Sequence, residues 1–143
     1  MQTRQPDNQE LLDAVQKRDI DLVAGLIRRG TDINVASRNG WTPLMLAILS
    51  DSLTLVKLLL ANGADPNLAT TSEENPYRAP LAVAIRNGRS EIVELLMEHG
   101  VSTTPYDQPT PLDLARELAL RPLHRERMAK IVSLLESHRA LQQ

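Results

Sequence analysis

The sequence predicts an all-α fold built from about four helix–turn–helix repeats, and three observations carry this prediction. Residues 39–67 hold two apolar stripes, each with the i, i+3, i+4 spacing of a helix face. The segment GTDIN at residues 30–34 returns as GADPN at residues 63–67, a spacing of 33 residues. A helix-start signal, TPL at residues 42–44, returns as APL at 79–81 and as TPL at 110–112. Because one helix pair cannot bury both of its stripes, such a period indicates units that stack on one another.

The unit at residues 39–67 shows how each helix begins and ends. Thr42 can cap the first helix with its hydroxyl, and Pro43 suits the first helical position, where no N–H is needed. Asp51 and Ser52 separate the two helices, and Asn62 with Gly63 ends the second. The predicted buried residues are Leu44, Ala47 and Ile48 in the first helix and Val56, Leu59 and Leu60 in the second.

These motifs resemble the ankyrin repeat, whose pattern is G-x-T-P-L-H-x-A-A, a short loop, V-x-x-L-L and then G-A-D-x-N. The resemblance covers about residues 8–139 and implies an ankyrin-repeat solenoid with hairpin-like fingers between its helix pairs. We expect a flexible N-terminal tail, one repeat domain and a short C-terminal tail. Their boundaries are 1–7 for the first tail, 8–139 for the domain, about 8–38, 39–71, 72–107 and 108–139 for its repeats, and 140–143 for the last tail.

The first repeat lacks the TPL signal. Terminal repeats, which cover the end of the stack, often depart from the repeat pattern. Asp7 and Glu10 fit a capping box, so the sequence predicts that the first helix starts near Asn8. The predicted stripes are Leu11, Ala14 and Val15 in the first helix and Leu22, Val23, Leu26 and Ile27 in the second.

The later repeats depart from the family pattern in ways that bear on packing. Met45, Ala82 and Asp113 occupy the position where the family usually has a His that ties neighbouring repeats, so we expect apolar packing to hold the stack. An insertion at residues 69–79 lengthens one finger. It is either a binding loop or a tolerated surface insertion. In the last repeat Pro122 should end or kink the chain before a final helix whose buried face includes Met128, Ile131 and Leu135.

Composition excludes several classes of protein. The chain has no Cys, so it has no disulfide framework and no thiolate metal site. Its N-terminus is polar, no stretch reaches membrane-spanning length, and its net charge of −2 gives no overall attraction to nucleic acid. We therefore expect a soluble, cytoplasmic protein that is a monomer until it binds a partner.

The sequence shows no arrangement typical of an active site. His99, His124 and His138 have no G-x-S-x-G serine to activate and form no i, i+4 metal pair, and no glycine-rich phosphate loop is present. The Asp32/Asn34 and Asp65/Asn67 pairs are predicted to shape turns rather than bind a cation. We expect no enzyme activity, no cofactor and no metal. The competing hypothesis is a cryptic enzyme that uses carboxylates such as Glu73 and Glu74.

The resemblance implies a concave surface that binds another protein. Trp41 is the residue most typical of an interface hot spot, although packing against a neighbouring finger explains it equally well. The positions that vary in the family and so form most of the predicted site are Gln16, Lys17, Arg38, Asn39, Trp41, Leu49, Ser50, Asn75, Arg78, Arg86 and Asn87. The fingers add Ala36 and Tyr106, and the insertion adds Tyr77.

The leading hypothesis is a non-enzymatic protein-interaction module that acts as an adaptor or inhibitor, with an immunity-type inhibitor of a toxin as one alternative. The other alternative is a basic surface near the C-terminus that binds a phosphorylated or anionic ligand. The simpler interpretation of its basic residues, and the favoured one, is the solvated face of a terminal helix. The lack of interleaved aromatics argues against binding of single-stranded nucleic acid. The basic residues are Arg116, Arg121, His124, Arg125, Arg127, Lys130 and Arg139.

Overall fold

A computed structural model describes residues 4–70, 79–103 and 110–142. Within these ranges the chain forms α-helices and no strand, which confirms the all-α prediction. The helices are α1 (Arg4–Gln16), α2 (Ile20–Arg28), α3 (Pro43–Leu49), α4 (Leu53–Ala61), α5 (Pro80–Arg86), α6 (Ser90–Glu98), α7 (Pro111–Ala119) and α8 (Arg125–Leu141). A 3₁₀ turn at Pro122–His124 precedes α8, where the sequence predicted an interruption.

The helices belong to two compact units, residues 1–80 and residues 81–143. In the first unit α1 packs on α2, α3 packs on α4, and α1 and α3 lie side by side. In the second unit α8 packs on α7 and also contacts α6. Helix hairpins of the predicted kind are therefore present in both units. The extent of one continuous domain over residues 8–139 stays a prediction.

Threonine caps start the helices at two of the predicted signals. The Thr42 hydroxyl accepts from the N–H of Met45 at 3.3 Å, and Pro43 takes the first position of α3. The Thr110 hydroxyl accepts from the N–H of Asp113 at 3.0 Å, while the Asp113 carboxylate accepts from the N–H of Thr110 at 3.3 Å. This is a complete capping box. Asp113, which stands where the family has a His, thus stabilises the start of α7.

The core contains most of the stripe residues predicted for the first two repeats and for α8, together with residues of α5, α6 and α7, whereas Ile27 is only half-buried. The residues at 5% exposure or less include Leu11, Ala14, Val15, Val23, Leu26, Leu44, Ala47, Ile48, Val56, Leu59, Leu81, Ala84, Ile85, Ile92, Val93, Leu96, Ala115, Met128, Ile131 and Leu135. Leu22 was predicted to be buried, and this is wrong, since its side chain is 37% exposed in the first turn of α2. Val23 and Leu26 fill the core of that helix instead.

The first helix begins earlier than the sequence predicted. α1 starts at Arg4 rather than near Asn8, so Asp7 lies inside the first turn and does not cap the helix. The Asp7 carboxylate instead pairs with Arg29, at the C-terminal end of α2, at 3.1 Å. A carboxylate in the first turn also favours the helix through its dipole.

The turns within three of the helix pairs share one backbone conformation. They span residues 17–19, 50–52 and 87–89, and the middle residue of each is left-handed. Its φ is 57° at Arg18, 53° at Asp51 and 66° at Gly88. Glycine takes this conformation without steric cost, whereas Arg and Asp do not. The two non-glycine residues therefore mark strained turns in the first unit.

Aspartate and asparagine side chains shape the fingers, as the sequence predicted. Asp32 accepts from the N–H of Asn34 at 3.0 Å, and Asp65 accepts from the N–H of Asn67 at 2.8 Å. Asn34 also reaches the next finger, where its side-chain oxygen accepts from the N–H of Asp65 at 2.9 Å. The expectation that apolar packing alone holds the stack is therefore wrong for the first unit, because Asn34 joins successive fingers by a polar contact.

Replacing the side chain that joins the fingers should destabilise the protein. We expect Asn34→Ala to lower the free energy of unfolding by about 1 kcal/mol, because the N–H of Asp65 loses its acceptor. Urea denaturation followed by circular dichroism measures the change. The control is Asn62→Ala, which removes only a local bond from the Asn62 amide to the carbonyl of Leu58 in the same helix. Equal losses for the two variants would contradict the role of Asn34.

Removing a core side chain should cost more. Leu59 is fully buried in α4, so Leu59→Ala should lower the free energy of unfolding by ~2–5 kcal/mol through lost burial and the cavity left behind. The matched control is Leu22→Ala, whose side chain is 37% exposed and should lower stability clearly less than Leu59→Ala does. A Leu59→Ala protein as stable as the control would show that this stripe does not form the core.

Candidate protein-binding surface

One tight turn at the end of a finger carries three of the predicted site residues. The N–H of Ser37 donates to the carbonyl of Trp41 at 2.9 Å, and the N–H of Gly40 donates to the carbonyl of Ser37 at 2.9 Å. The Ser37 hydroxyl accepts from the N–H of Trp41 at 3.0 Å. These bonds fix the backbone on both sides of Arg38 and Asn39, which are exposed, and hold Trp41 half-buried.

The same turn is also anchored from the next finger. The Thr70 hydroxyl donates to the carbonyl of Gly40. Arg38, Asn39 and Trp41 therefore lie on a turn whose backbone is held from two directions, just before α3 begins. Ala36, another predicted residue, is exposed on the same segment.

The other end of α3 presents an exposed leucine. The first six residues of the helix, Pro43 to Ile48, are all buried, whereas the last, Leu49, is 44% exposed. The half-buried Ser50 follows it as the C-terminal cap. Since the other apolar side chains of α3 are in the core, Leu49 is the one that remains available to a partner.

Arg18 contacts this end of α3, and the sequence analysis missed it. Its guanidinium donates to the carbonyl of Ser50 and so connects the turn after α1 to the end of α3. The sequence feature that could have identified Arg18 is the alignment of the three turns. In that alignment Arg18 and Asp51 occupy the position at which the third repeat has Gly88. A residue kept at a left-handed position despite its cost is a reason to look for a role.

The predicted residues of the first unit thus form two groups, one at each end of α3. Lys17 and Gln16 are exposed next to Arg18, so they belong with Leu49 and Ser50. The seven residues of α3 between the two groups rise about 10 Å along the helix axis. We call these groups together the α3-end surface, and its members are Gln16, Lys17, Arg18, Arg38, Asn39, Trp41, Leu49 and Ser50.

The remaining predicted residues are less well supported. In the second unit Arg86 is exposed at the end of α5, but the half-buried Asn87 donates its amide to the carbonyl of Val83 at 2.9 Å and so serves its own helix. Asn75, Tyr77, Arg78 and Tyr106 lie outside the described residues.

The described part of the chain shows no cluster of metal-binding side chains. Its His, Asp and Glu residues do not group in a way that could hold a metal ion. The ring Nδ1 of His99 lies 2.9 Å from the carbonyl of Leu95, one turn earlier, so this ring contacts the backbone of its own helix. Glu73 and Glu74, on which the enzyme hypothesis depends, lie outside the described residues. Among the described helices, none has the length and apolar character to span a membrane.

Comparison with known proteins agrees with the repeat architecture. The family model for ankyrin repeats, in three copies, matches residues 11–107. Ankyrin repeats are in general non-enzymatic modules for protein–protein interaction. The match ends before α7, so the assignment of α7 and α8 to a fourth repeat stays a prediction.

Relatives with the same repeats occur in a virus and in a bacterium. The chain is 37% identical over 89 residues to the putative ankyrin repeat protein FPV024 of fowlpox virus, which is 62% of this chain and 14% of the relative. It is 38% identical over 112 residues to FPV031 of the same virus, covering 76% of this chain and 32% of the relative. A third relative, YahD of Escherichia coli, is 37% identical over 97 residues, which cover 63% of this chain and 46% of that protein.

The chain therefore spans less than half the length of each of these relatives. What it shares with them is the repeat. Its helix pairs, its capped helix starts and its Asp and Asn finger turns are those of the matched pattern. The chain belongs to the ankyrin-repeat family.

Proposed function

We propose that the chain binds a folded protein partner through the α3-end surface and acts as an adaptor or inhibitor. The observation that carries this proposal is Leu49, the exposed apolar residue at the end of a helix that is otherwise buried. Apolar side chains that a partner can bury, surrounded by polar groups, are typical of the centre of an interface. Lys17, Arg18 and Ser50 supply those polar groups next to Leu49.

The rigidity of the surface supports the same proposal. Arg18 holds the turn after α1 against the end of α3, and the Ser37 turn is fixed by three hydrogen bonds. A surface that is ordered before binding loses less conformational entropy when a partner arrives. Trp41 adds a large aromatic side chain to the finger end of this surface, at low entropic cost.

The role of adaptor or inhibitor follows from what a binding surface alone can do. A module that holds a partner without transforming it acts by covering the partner's functional site or by bringing it to another molecule. Covering an active site would make the chain an immunity-type inhibitor. The identity of the captured protein decides between these roles.

The test of the α3-end surface compares two leucines of similar exposure. We expect the immobilised full chain to capture a partner from a lysate of the source cells, and Leu49→Ala to weaken that capture about tenfold. Leu22→Ala, on α2 of the same unit, is the control and should capture as the wild type does. The captured proteins are identified by mass spectrometry. Capture that both variants weaken equally, or that neither weakens, would contradict the proposal.

Trp41 gives a second test at the finger end. Trp41→Ala should leave the far-ultraviolet circular dichroism signal nearly unchanged, because Trp41 precedes α3 and is only half-buried. It should weaken capture of the same partner as Leu49→Ala does. Unchanged capture by a folded Trp41→Ala protein would remove the finger from the binding surface and assign Trp41 to packing.

A further inference from the structure

The connection between α7 and α8 differs from the other helix connections. Three residues join the helices of each earlier pair, at 17–19, 50–52 and 87–89, whereas five residues, 120–124, join α7 to α8. We call residues 120–125 the α7–α8 corner. Its backbone is held by bonds of its own, from the N–H of Arg121 to the carbonyl of Leu118 at 3.1 Å and from the N–H of His124 to the carbonyl of Arg121 at 3.0 Å.

The corner presents two leucines that the core does not use. Leu120 is 78% exposed and Leu123 is 92% exposed. The core of the α7–α8 pair is formed by other side chains, which are Leu112, Ala115, Met128, Ile131 and Leu135. Pro122 fixes the backbone between the two leucines, and the N–H groups of Arg121 and His124 are bonded within the turn. The corner therefore keeps both side chains in water without needing them for folding.

The charge around these leucines is opposite to that of the rest of the protein. Residues 120–130 hold four basic side chains and one acidic side chain, a net charge of +3, in a chain whose net charge is −2. The other residues therefore carry −5. The basic residues, all exposed, are Arg121, Arg125, Arg127 and Lys130. A local positive patch on a negative protein attracts an acidic partner to that patch and disfavours its binding elsewhere.

Arg127 lies beside the turn between α5 and α6, away from the two leucines in sequence. Its side-chain stem packs at the turn between α5 and α6, where a Cβ on Gly88 would lie 3.2 Å from Cδ of Arg127. Arg121 and Arg125 are next to the leucines in sequence and belong to the corner itself. They are therefore the cations that best complement a ligand bound on Leu120 and Leu123.

We propose that the α7–α8 corner is a second binding surface, specific for an acidic polypeptide segment that also carries apolar side chains. The apolar side chains of that segment cover Leu120 and Leu123, and its carboxylates pair with Arg121 and Arg125. A membrane fits these observations less well, because binding at a lipid surface uses a continuous apolar face on a helix. On α8 that face, formed by Met128, Ile131 and Leu135, is buried in the core.

The experiment uses the full chain and fluorescein-labelled peptides of one length. One peptide combines Glu with Leu and Phe, a second combines Glu with Ser and Gln, and a third combines Lys with Leu and Phe. Fluorescence anisotropy should show binding of the first peptide, with affinity at least ~tenfold above that for the other two. Equal binding of the second peptide would reduce the site to charge alone and overturn the proposal.

Two double variants locate the site. Leu120→Ser with Leu123→Ser, and Arg121→Glu with Arg125→Glu, should each weaken binding of the acidic apolar peptide about tenfold or more. Circular dichroism should be unchanged in both, since the four side chains are exposed. Losses that come with a changed dichroism spectrum would overturn the claim that the corner is independent of folding.

The other end of α8 supplies matched controls. Leu141 is 87% exposed and Arg139 is exposed, so Leu141→Ser and Arg139→Glu repeat the chemistry of the test variants about 20 Å along the same helix. Both controls should bind the peptide within about twofold of the wild type. Weakening by the controls to the same extent, or binding to phosphatidylserine vesicles in place of the peptide, would overturn the proposal.

Discussion

Helix α3 is too short to be stable unless other helices cover it. α3 has seven residues, whereas an isolated helix of fewer than about 12 residues is marginal in water even with favourable residues. Six of its residues, Pro43 to Ile48, are buried, so its stability comes from α1 beside it and α4 behind it. Stacking is thus a requirement of the sequence, and the capped helix starts and short turns are the local features that allow it.

Polar groups in the first unit set the geometry that apolar packing leaves undefined. Leucine and alanine side chains can pack in several registers, because the hydrophobic effect has no direction. The bond from the N–H of Asp65 to the side-chain oxygen of Asn34 and the bond from the Arg18 guanidinium to the carbonyl of Ser50 do have direction, and each joins successive repeats. These two contacts lie at opposite ends of the helix pairs. Together they restrict how one repeat can rotate against the next.

The sequence was sufficient to predict features that depend on residues close together in the chain. The Thr42 and Thr110 caps, the stripes of α3 and α4, and the Asp32 and Asp65 turns all follow from neighbours within about four residues. The start of α1, the exposure of Leu22 and the contact of Arg18 with Ser50 do not. Each depends on a contact with a residue or a helix distant in sequence. The ion pair between Asp7 and Arg29 is one such contact.

Prediction of the candidate site had the same limit, because contacts between residues distant in sequence could not be predicted. Transfer from the family pattern identified Arg38, Asn39 and Trp41, which do share one turn. It also included Asn87, whose amide bonds to its own helix, because a family position shows where a side chain begins and not what it contacts. It missed Arg18 because the family pattern has no specific residue at that position. The tertiary contact to Ser50 became visible only with the structure.

Both proposed surfaces use leucines at the ends of helices, and this placement has a physical reason. In a helix covered by its neighbours, such as α3, an apolar side chain lies in the core. The packing there restricts which residue can occupy that position. At a helix end or in a connection, as at Leu49, Leu120 and Leu123, the backbone is fixed by its own bonds and the side chain points beyond the packed layer. Such positions can change without loss of the fold. One repeat scaffold, shared with viral and bacterial relatives at 37–38% identity, can therefore present different side chains at these positions.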